Sequence, residues 1–448
     1  MKIEASTVSA MTSREADAPG SCVQPKTASA LIWTETMLAA LKLGVKGGKW
    51  HSLIDKAYRL ETLELGWSQV EKNAGAAGVD RMSVEQFSRK RDLYLAELAQ
   101  ALRDGSYRPQ AVRRVYIPKA GSKTQFRPLG IPAVKDRVVQ AALKLVIEPI
   151  FEHEFEARSF GFRPGLGCKD ALREVDRYLR EGYCWVVDAD LKSYFDTIPH
   201  SSLLAKVSRR ISDSRVLDLI TRFLKQDIME DMNRWTPTAG SPQGAICSPL
   251  LANIYLHDLD VEMREAGFAM LRYADDSVVL CRSREEAEAA LARMRTWVSA
   301  NGLTLHPDKT HLGDCRIEGQ GFEFLGYRFE AGQRGVRKKS LTALKDKIRA
   351  LTKRTQGHSI ACAIASLNPI LKGWFGYFQH AHRYTFSSLD GFIRRRLRAV
   401  LRRQQHRPGR GHCLNDHKQW PNAYFADLGL FTMFKAHQLA RQSRCGNN

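Results

Sequence analysis

Two adjacent carboxylates, Asp275 and Asp276, lie between the short apolar runs 270–273 and 277–281. Such runs, joined across Ala274-Asp275-Asp276, predict a β-hairpin with charge at its tip. Side by side the carboxylates repel one another, and a divalent cation relieves that repulsion. An Asp-Asp turn needs no cation, because Asp accepts turn geometry readily. Some 85 positions earlier, the apolar run 184–187 ends in Asp188-Ala189-Asp190. Alternation along a strand puts Asp188 and Asp190 on one face. One carboxylate from this strand end, joined to the hairpin pair, could hold two Mg²⁺ ions roughly 3.5–4 Å apart, the arrangement for in-line displacement at a phosphate. Mg²⁺ takes oxygen ligands and keeps waters, which suits carboxylates and phosphates better than the scattered His and Cys residues.

The elements that must position these groups are of mixed type. Segment 114–118 reads as a strand stopped by Pro118, 136–150 as a helix, 183–188 as a buried strand, 285–298 as a helix and 323–329 as a strand pair. Upstream, from about 31 to 105, apolar residues recur at helical spacing: Leu53, Ala57 and Leu60, then Leu93, Leu95 and Leu98. A loop at 73–80 interrupts them. Residues 1–30 mix Ser, Thr, Ala, Pro and Gly without an apolar period and read as a mobile arm.

The chain has 448 residues, 44% of them hydrophobic and 26% charged, which is globular and excludes a disordered or fibrous protein. Lys and Arg outnumber Asp and Glu by 69 to 48, a net charge of +21 that calls for a polyanionic partner. The excess is uneven: residues 331–412 carry 19 Lys and Arg against only Asp346 and Asp390. Leu341, Leu344, Ile348 and Leu351 mark one helix with a basic opposite face; Ile393, Leu397 and Leu401 mark another. Lys338, Lys339, Arg394, Arg395, Arg396, Arg402 and Arg403 are therefore candidates for following a phosphate backbone, although charged helix faces are also commonly just solvated. The longest uncharged run, 235–256, holds three prolines among polar residues, so no membrane span is expected. The first thirty residues lack an apolar signal core, and the nine cysteines form no close pairs. Reduced thiols in a cytoplasmic, nucleic-acid-associated protein are the expectation.

The ordered series Val187-Asp-Ala-Asp-Leu-Lys-Ser-Tyr-Phe-Asp196, Ser241-Pro-Gln-Gly244, Tyr273-Ala-Asp-Asp276 and Leu303-Thr-Leu-His-Pro-Asp-Lys-Thr310 resembles reverse transcriptases. Within them it is most similar to the group II intron-encoded reverse transcriptase/maturases of class C, which lack an endonuclease domain. The resemblance runs from about Asn73 to the C-terminus and takes in Ile117-Pro-Lys119, Arg127-Pro-Leu-Gly-Ile-Pro132, Phe160-Gly-Phe-Arg-Pro164, Phe324-Leu-Gly326 and Gly373-Trp-Phe-Gly-Tyr377.

The resemblance implies an α+β right-hand polymerase. A mobile arm at 1–30 and a helical N-terminal extension at 31–105 precede fingers and palm at 106–330. An α-helical thumb/maturase domain at 331–405 and a basic, DNA-binding-like tail at 406–448 follow. It implies RNA-directed DNA synthesis from dNTPs with two Mg²⁺ ions on Asp190, Asp275 and Asp276. Lys119 and Arg127 are expected to grip the triphosphate, and Phe195 to gate against a 2′-hydroxyl. Gln243 and Gly244 are expected to lie against the incoming base, and Lys309 to act as general acid for departing pyrophosphate. Intron RNA and target DNA are the expected partners, with room for a homodimer and none for second-strand DNA cleavage by the chain itself. A core aromatic is the lesser alternative for Phe195. Trp374 and Tyr377, within an aromatic and basic stretch with Lys372, Phe375, Phe378 and Tyr384, could stack on RNA or fill a core. Ser193, Ala245 and Ser277 depart from the family's usual Gly, Gly and apolar residue. A retron, diversity-generating or defence-type reverse transcriptase is the rival enzyme, and a non-enzymatic RNA-binding splicing factor the rival outside catalysis.

Overall fold

The computed structural model describes residues 32–45, 48–118, 126–355, 357–409, 411 and 413–445; the arm at 1–30 and Lys119 lie outside the described residues. The described residues form two compact units, one running to Leu325 and one beginning at Gly326.

In the first unit the strands are β1 (Val112–Pro118), β2 (Phe126–Ile131), β3 (Trp185–Asp190), β4 (Ile228–Glu230), β5 (Asn233–Trp235), β6 (Ala269–Tyr273), β7 (Asp276–Cys281), β8 (His311–Asp314) and β9 (Phe322–Phe324). Strands β1 to β8 build two four-stranded sheets in the orders β2-β1-β4-β5 and β6-β7-β3-β8. The second sheet is antiparallel throughout, with β3 central between β7 and β8. Val186, Val187 and Ala189 of β3 and Val278 to Cys281 of β7 are buried, and β3 and β7 pair from Trp185 with Cys281 to Asp190 with Asp276. Helices Val134–Glu152 and Ser248–Glu265 are buried on most of their surface and serve as core rods.

The helical reading of the N-terminal region needs two corrections. The stripe Leu53, Ala57, Leu60 is broken between helices Ile54–Ala57 and Leu60–Asn73, and Leu60 is 48% exposed. In helix Arg91–Asp104, Leu95 and Leu98 are buried but Leu93 is 56% exposed. Residues two apart point to opposite sides of a helix, so Leu93 cannot share the stripe of Leu95.

The second unit holds the hairpin β10 (Tyr327–Glu330) and β11 (Gln333–Val336), then helices Lys338–Leu351, Ile360–Phe378 and Arg383–Gln404. Three shorter helices, Leu414–Gln419, Asn422–Asp427 and Met433–Cys445, complete it. Buried Asp390 accepts the backbone N–H groups of Met433 and Phe434 at 3.1 and 2.9 Å, capping the last helix from a neighbouring one. Among the described residues no helix is long and apolar enough to cross a membrane.

Candidate active site

Tyr273 pairs with Asp276 across β6 and β7, which leaves Ala274 and Asp275 as a two-residue loop. Ala274 has φ +61°, a left-handed conformation that a residue with a Cβ adopts only when its surroundings impose it. The imposing group is Arg272, only 1% exposed. Its Nη1 donates to the Ala274 carbonyl at 2.8 Å and to Asn253 Oδ1 at 2.9 Å, while Nε and Nη2 clasp Asp260 at 2.7 and 2.5 Å. Burial opposes the Arg272 charge, but pairing with Asp260 outweighs it and raises the guanidinium pKa. Asn253 also donates to the Gly161 carbonyl at 2.7 Å. Gly161 lies so close to the loop that a Cβ there would come within 2.2 Å of the Ala274 nitrogen. Sequence reasoning missed Arg272, Asn253, Asp260 and Gly161 as supports of the tip. The one available signal was an arginine inside an otherwise apolar strand.

Asp190, at the end of β3, stands directly opposite Asp276 on β7. Lys309 donates from Nζ to Asp190 Oδ2. Segment 303–310 delivers that lysine by backbone bonding, since Lys192 donates to Thr304 at 2.8 Å and His306 donates to the Asp190 carbonyl at 2.7 Å. Burial lifts the Asp275 carboxyl above the ordinary carboxylate range and the Asp190 charge adds to the lift, while Arg272 and Lys309 pull it back. Asp188 is also buried, pushed up to about 6 by that burial against the opposing pull of His311, whose Nδ1 is 3.9 Å away. The Ser277 hydroxyl is buried and donates to the Ala189 carbonyl at 3.2 Å, which satisfies a polar group at a position where the resembling family is apolar.

Phe195 lies one residue into the short helix Tyr194–Thr197, half-buried and edge-on to Tyr194. Ser193 precedes that helix with φ +50°, left-handed geometry that explains why glycine suits the position. The Phe195 carbonyl accepts Ser241 N–H at 2.6 Å, so the 240–244 loop is tied to the same corner. At its other end Gln243 O accepts the Gly130 N–H of β2 at 2.6 Å, and a Cβ on Gly244 would come within 2.4 Å of Gly130 O. Arg127 lies exposed on β2, three residues before Gly130. Asp190, Asp275, Asp276 and Lys309 thus form one cluster at the strand ends, and Phe195, Gln243, Gly244 and the Arg127 strand are joined through a chain of backbone bonds.

Among the described residues no group of three or more His, Cys, Asp or Glu side chains is arranged as it stands to hold a metal ion. The donor set still fits Mg²⁺, which is ordinarily held by one or two carboxylates together with substrate phosphates and water rather than by an all-protein cage. A like-charged pair of strand ends, with a carboxyl of raised pKa at the tip between them, is the electrostatic condition a dication relieves.

The basic unit requires a correction. Arg396 donates to the Thr352 hydroxyl at 3.0 Å and its carbonyl at 2.6 Å, closing the end of helix Lys338–Leu351. Arg402 pairs with buried Asp416 at 2.6 Å. Both guanidinium groups are committed inside the unit, whereas Lys338, Lys339 and Arg403 are exposed and Arg394 and Arg395 partly so. The aromatic stretch divides likewise. Phe375 and Phe378 are buried, and Trp374 and Tyr377 pack on Phe378 at ring distances of 4.6 and 4.8 Å, so the core reading describes them. Tyr384 alone in that group is largely exposed, at 65%.

Residues 117–329 match the family model described as reverse transcriptase (RNA-dependent DNA polymerase), and residues 341–420 match the group II intron, maturase-specific domain. The chain is 41% identical to the group II intron-encoded protein LtrA of Lactococcus lactis subsp. cremoris over 189 residues, 42% of this chain and 31% of that protein. It is 34% identical to protein YkfC of Escherichia coli (strain K12) over 301 residues, 57% of this chain and 76% of that protein. It is 26% identical to nuclear intron maturase 2, mitochondrial, of Arabidopsis thaliana over 342 residues, 65% of this chain and 44% of that protein. The match therefore spans about a third of the length of the LtrA relative.

Proposed function

Because the chain belongs to the group II intron-encoded reverse transcriptase and maturase family, we propose that it copies RNA into DNA and binds intron RNA to assist its splicing and retrohoming. The polymerase centre is assigned to the cluster Asp190, Asp275, Asp276 and Lys309. The observation that carries this reading is the register that sets Asp190 opposite Asp276 beside the tip residue Asp275.

Reverse transcriptases use divalent metal ions. Two Mg²⁺ ions held by the three carboxylates would lower the pKa of a primer 3′-hydroxyl and offset charge at the phosphate under attack. Lys309 stands on Asp190 and supplies a proton to departing pyrophosphate. Arg127, with Lys119, grips the triphosphate by charge-assisted hydrogen bonds. Phe195 fills the space a 2′-hydroxyl would need, and Gln243 with Gly244 backs the base. The second unit supplies the intron-RNA surface through Lys338, Lys339, Arg394, Arg395 and Arg403, in the thumb/maturase portion 331–405, with 406–448 turned to target DNA.

Mg²⁺-dependent extension of a DNA primer on an RNA template tests the reading, with Asp275→Ala as the control. Extension by the wild type and its loss in the variant supports it. A folded wild type that never extends the primer overturns the polymerase assignment and leaves RNA binding as the function to test.

A further inference from the structure

We propose that Phe162 is a stacking contact for the primer strand, held beside the catalytic hairpin by a strained backbone. The proposal rests on the polymerase reading above.

Phe162 has φ +61° and is 47% exposed. An aromatic side chain in left-handed backbone is a genuine outlier, since Gly or Asn occupies that region with less strain. A core role does not account for it, because half of the side chain faces solvent. The strain persists because both flanks are pinned. On one side Phe160 donates its N–H to the Arg272 carbonyl at 2.9 Å, and Gly161 accepts from Asn253 at 2.7 Å. On the other, Arg163 donates from Nε to Glu152 Oε1 at 2.9 Å and from Nη1 to the carbonyls of Glu156 and Ser159, both at 2.7 Å. Backbone held on both sides of a strained residue is the pattern of a functional loop.

The place of the loop identifies the occupant. Gly161 abuts the backbone of Ala274, the residue before Asp275. Phe162 follows by one residue, at most about 3.6 Å of chain, which is close to one nucleotide step of about 3.4 Å. A strand whose end reaches Asp275 and Asp276 is the primer, and the loop that carries this exposed ring is the one packed on the hairpin at Ala274. A polymerase must hold primer termini of every sequence, and stacking on an aromatic face is tolerant of sequence because every base has a π-face.

The test compares the wild type with Phe162→Asn and Phe162→Gly, which keep the backbone conformation and remove the ring, and with Phe162→Tyr, which keeps it. Binding of a DNA primer annealed to an RNA template is measured by fluorescence anisotropy without dNTPs, alongside melting temperature and the KM for dNTP. Expected are a Kd raised about tenfold for Asn and Gly, a melting temperature equal or higher, an unchanged dNTP KM, and near wild-type binding for Tyr. Wild-type binding by Phe162→Asn overturns the proposal. So does a fall in melting temperature in both Asn and Gly variants, which would make the ring a packing element. Wild type that binds primer–template without extending it sinks the polymerase reading, and the binding comparison still decides the role of Phe162.

Discussion

Lys309 reaches Asp190 because His306 first bonds the Asp190 backbone: the same strand end that presents the carboxylate also anchors the segment that neutralises it. On the proposed role, this ammonium serves the departing pyrophosphate and takes no part in holding the primer–template. Lys309→Ala is expected to lower kcat for primer extension by about 10²–10⁴-fold, with little change in primer–template Kd. Single-turnover kinetics beside a binding titration would separate the two. An unchanged kcat would return Lys309 to a structural role.

Gly161→Ala tests the support of the hairpin tip without touching a carboxylate. A methyl group 2.2 Å from the Ala274 nitrogen cannot be accommodated unless the tip moves. Extension is expected to fall at least about a hundredfold, by analogy with a misplacement near 1 Å. The melting temperature should drop with it. Activity near wild type would show that the tip tolerates displacement.

Asp136 sets a pH dependence of folding. It is 1% exposed and accepts from Tyr107 Oη at 2.6 Å, Gln110 N at 3.0 Å and Gln226 Nε2 at 2.9 Å, yet burial pushes its carboxyl up to about 6. A folded-state pKa above the unfolded value binds the proton more tightly in the native state. The resulting stability is present below about pH 4 and is lost as pH rises through 6. Relative to Asp136→Asn, the wild type should lose up to about 3 kcal/mol over that window. Urea unfolding at pH 4 and pH 7 would measure it, and a constant difference would refute it.

Arg402 and Arg403 are sequence neighbours with opposite expected phenotypes. Arg402→Ala leaves the Asp416 carboxylate without its cation and should lower the melting temperature of the second unit. Arg403→Ala should leave stability within about 0.5 kcal/mol. It should weaken intron-RNA binding and reduce the slope of log K against log salt by about 1. Filter binding at several salt concentrations and thermal melts would check both.

The carboxylate cluster was partly readable in the chain because its members close apolar runs that end as strands. Alternation left Asp188 and Asp190 on one face of their strand, so the choice of Asp190 as the partner of Asp275 and Asp276 came from the family resemblance and not from spacing. The supports were not readable. Arg272 stood out only as an arginine in an otherwise apolar strand, and its partners Asp260 and Asn253 lie 12 and 19 positions away on a helix whose facing depends on tertiary packing. The same limit applied to the basic helices: composition cannot say that Arg396 turns inward to a helix end while Arg403 faces water. Leu93 misled because a leucine two residues off an apolar stripe resembles a member of it. Phe162 carried no signal, since left-handed backbone under an aromatic is imposed by pinned neighbours.

The bond from Gly130 to Gln243 joins the strand carrying Arg127 to the loop expected to back the base. With the roles proposed for Arg127 and the 243–244 loop, discrimination among nucleotides and grip on their phosphates would be adjustable only together. A variant selected for a new base preference at the 243–244 loop should arrive with an altered affinity for every dNTP, and compensating changes should be sought on β2, not around the base.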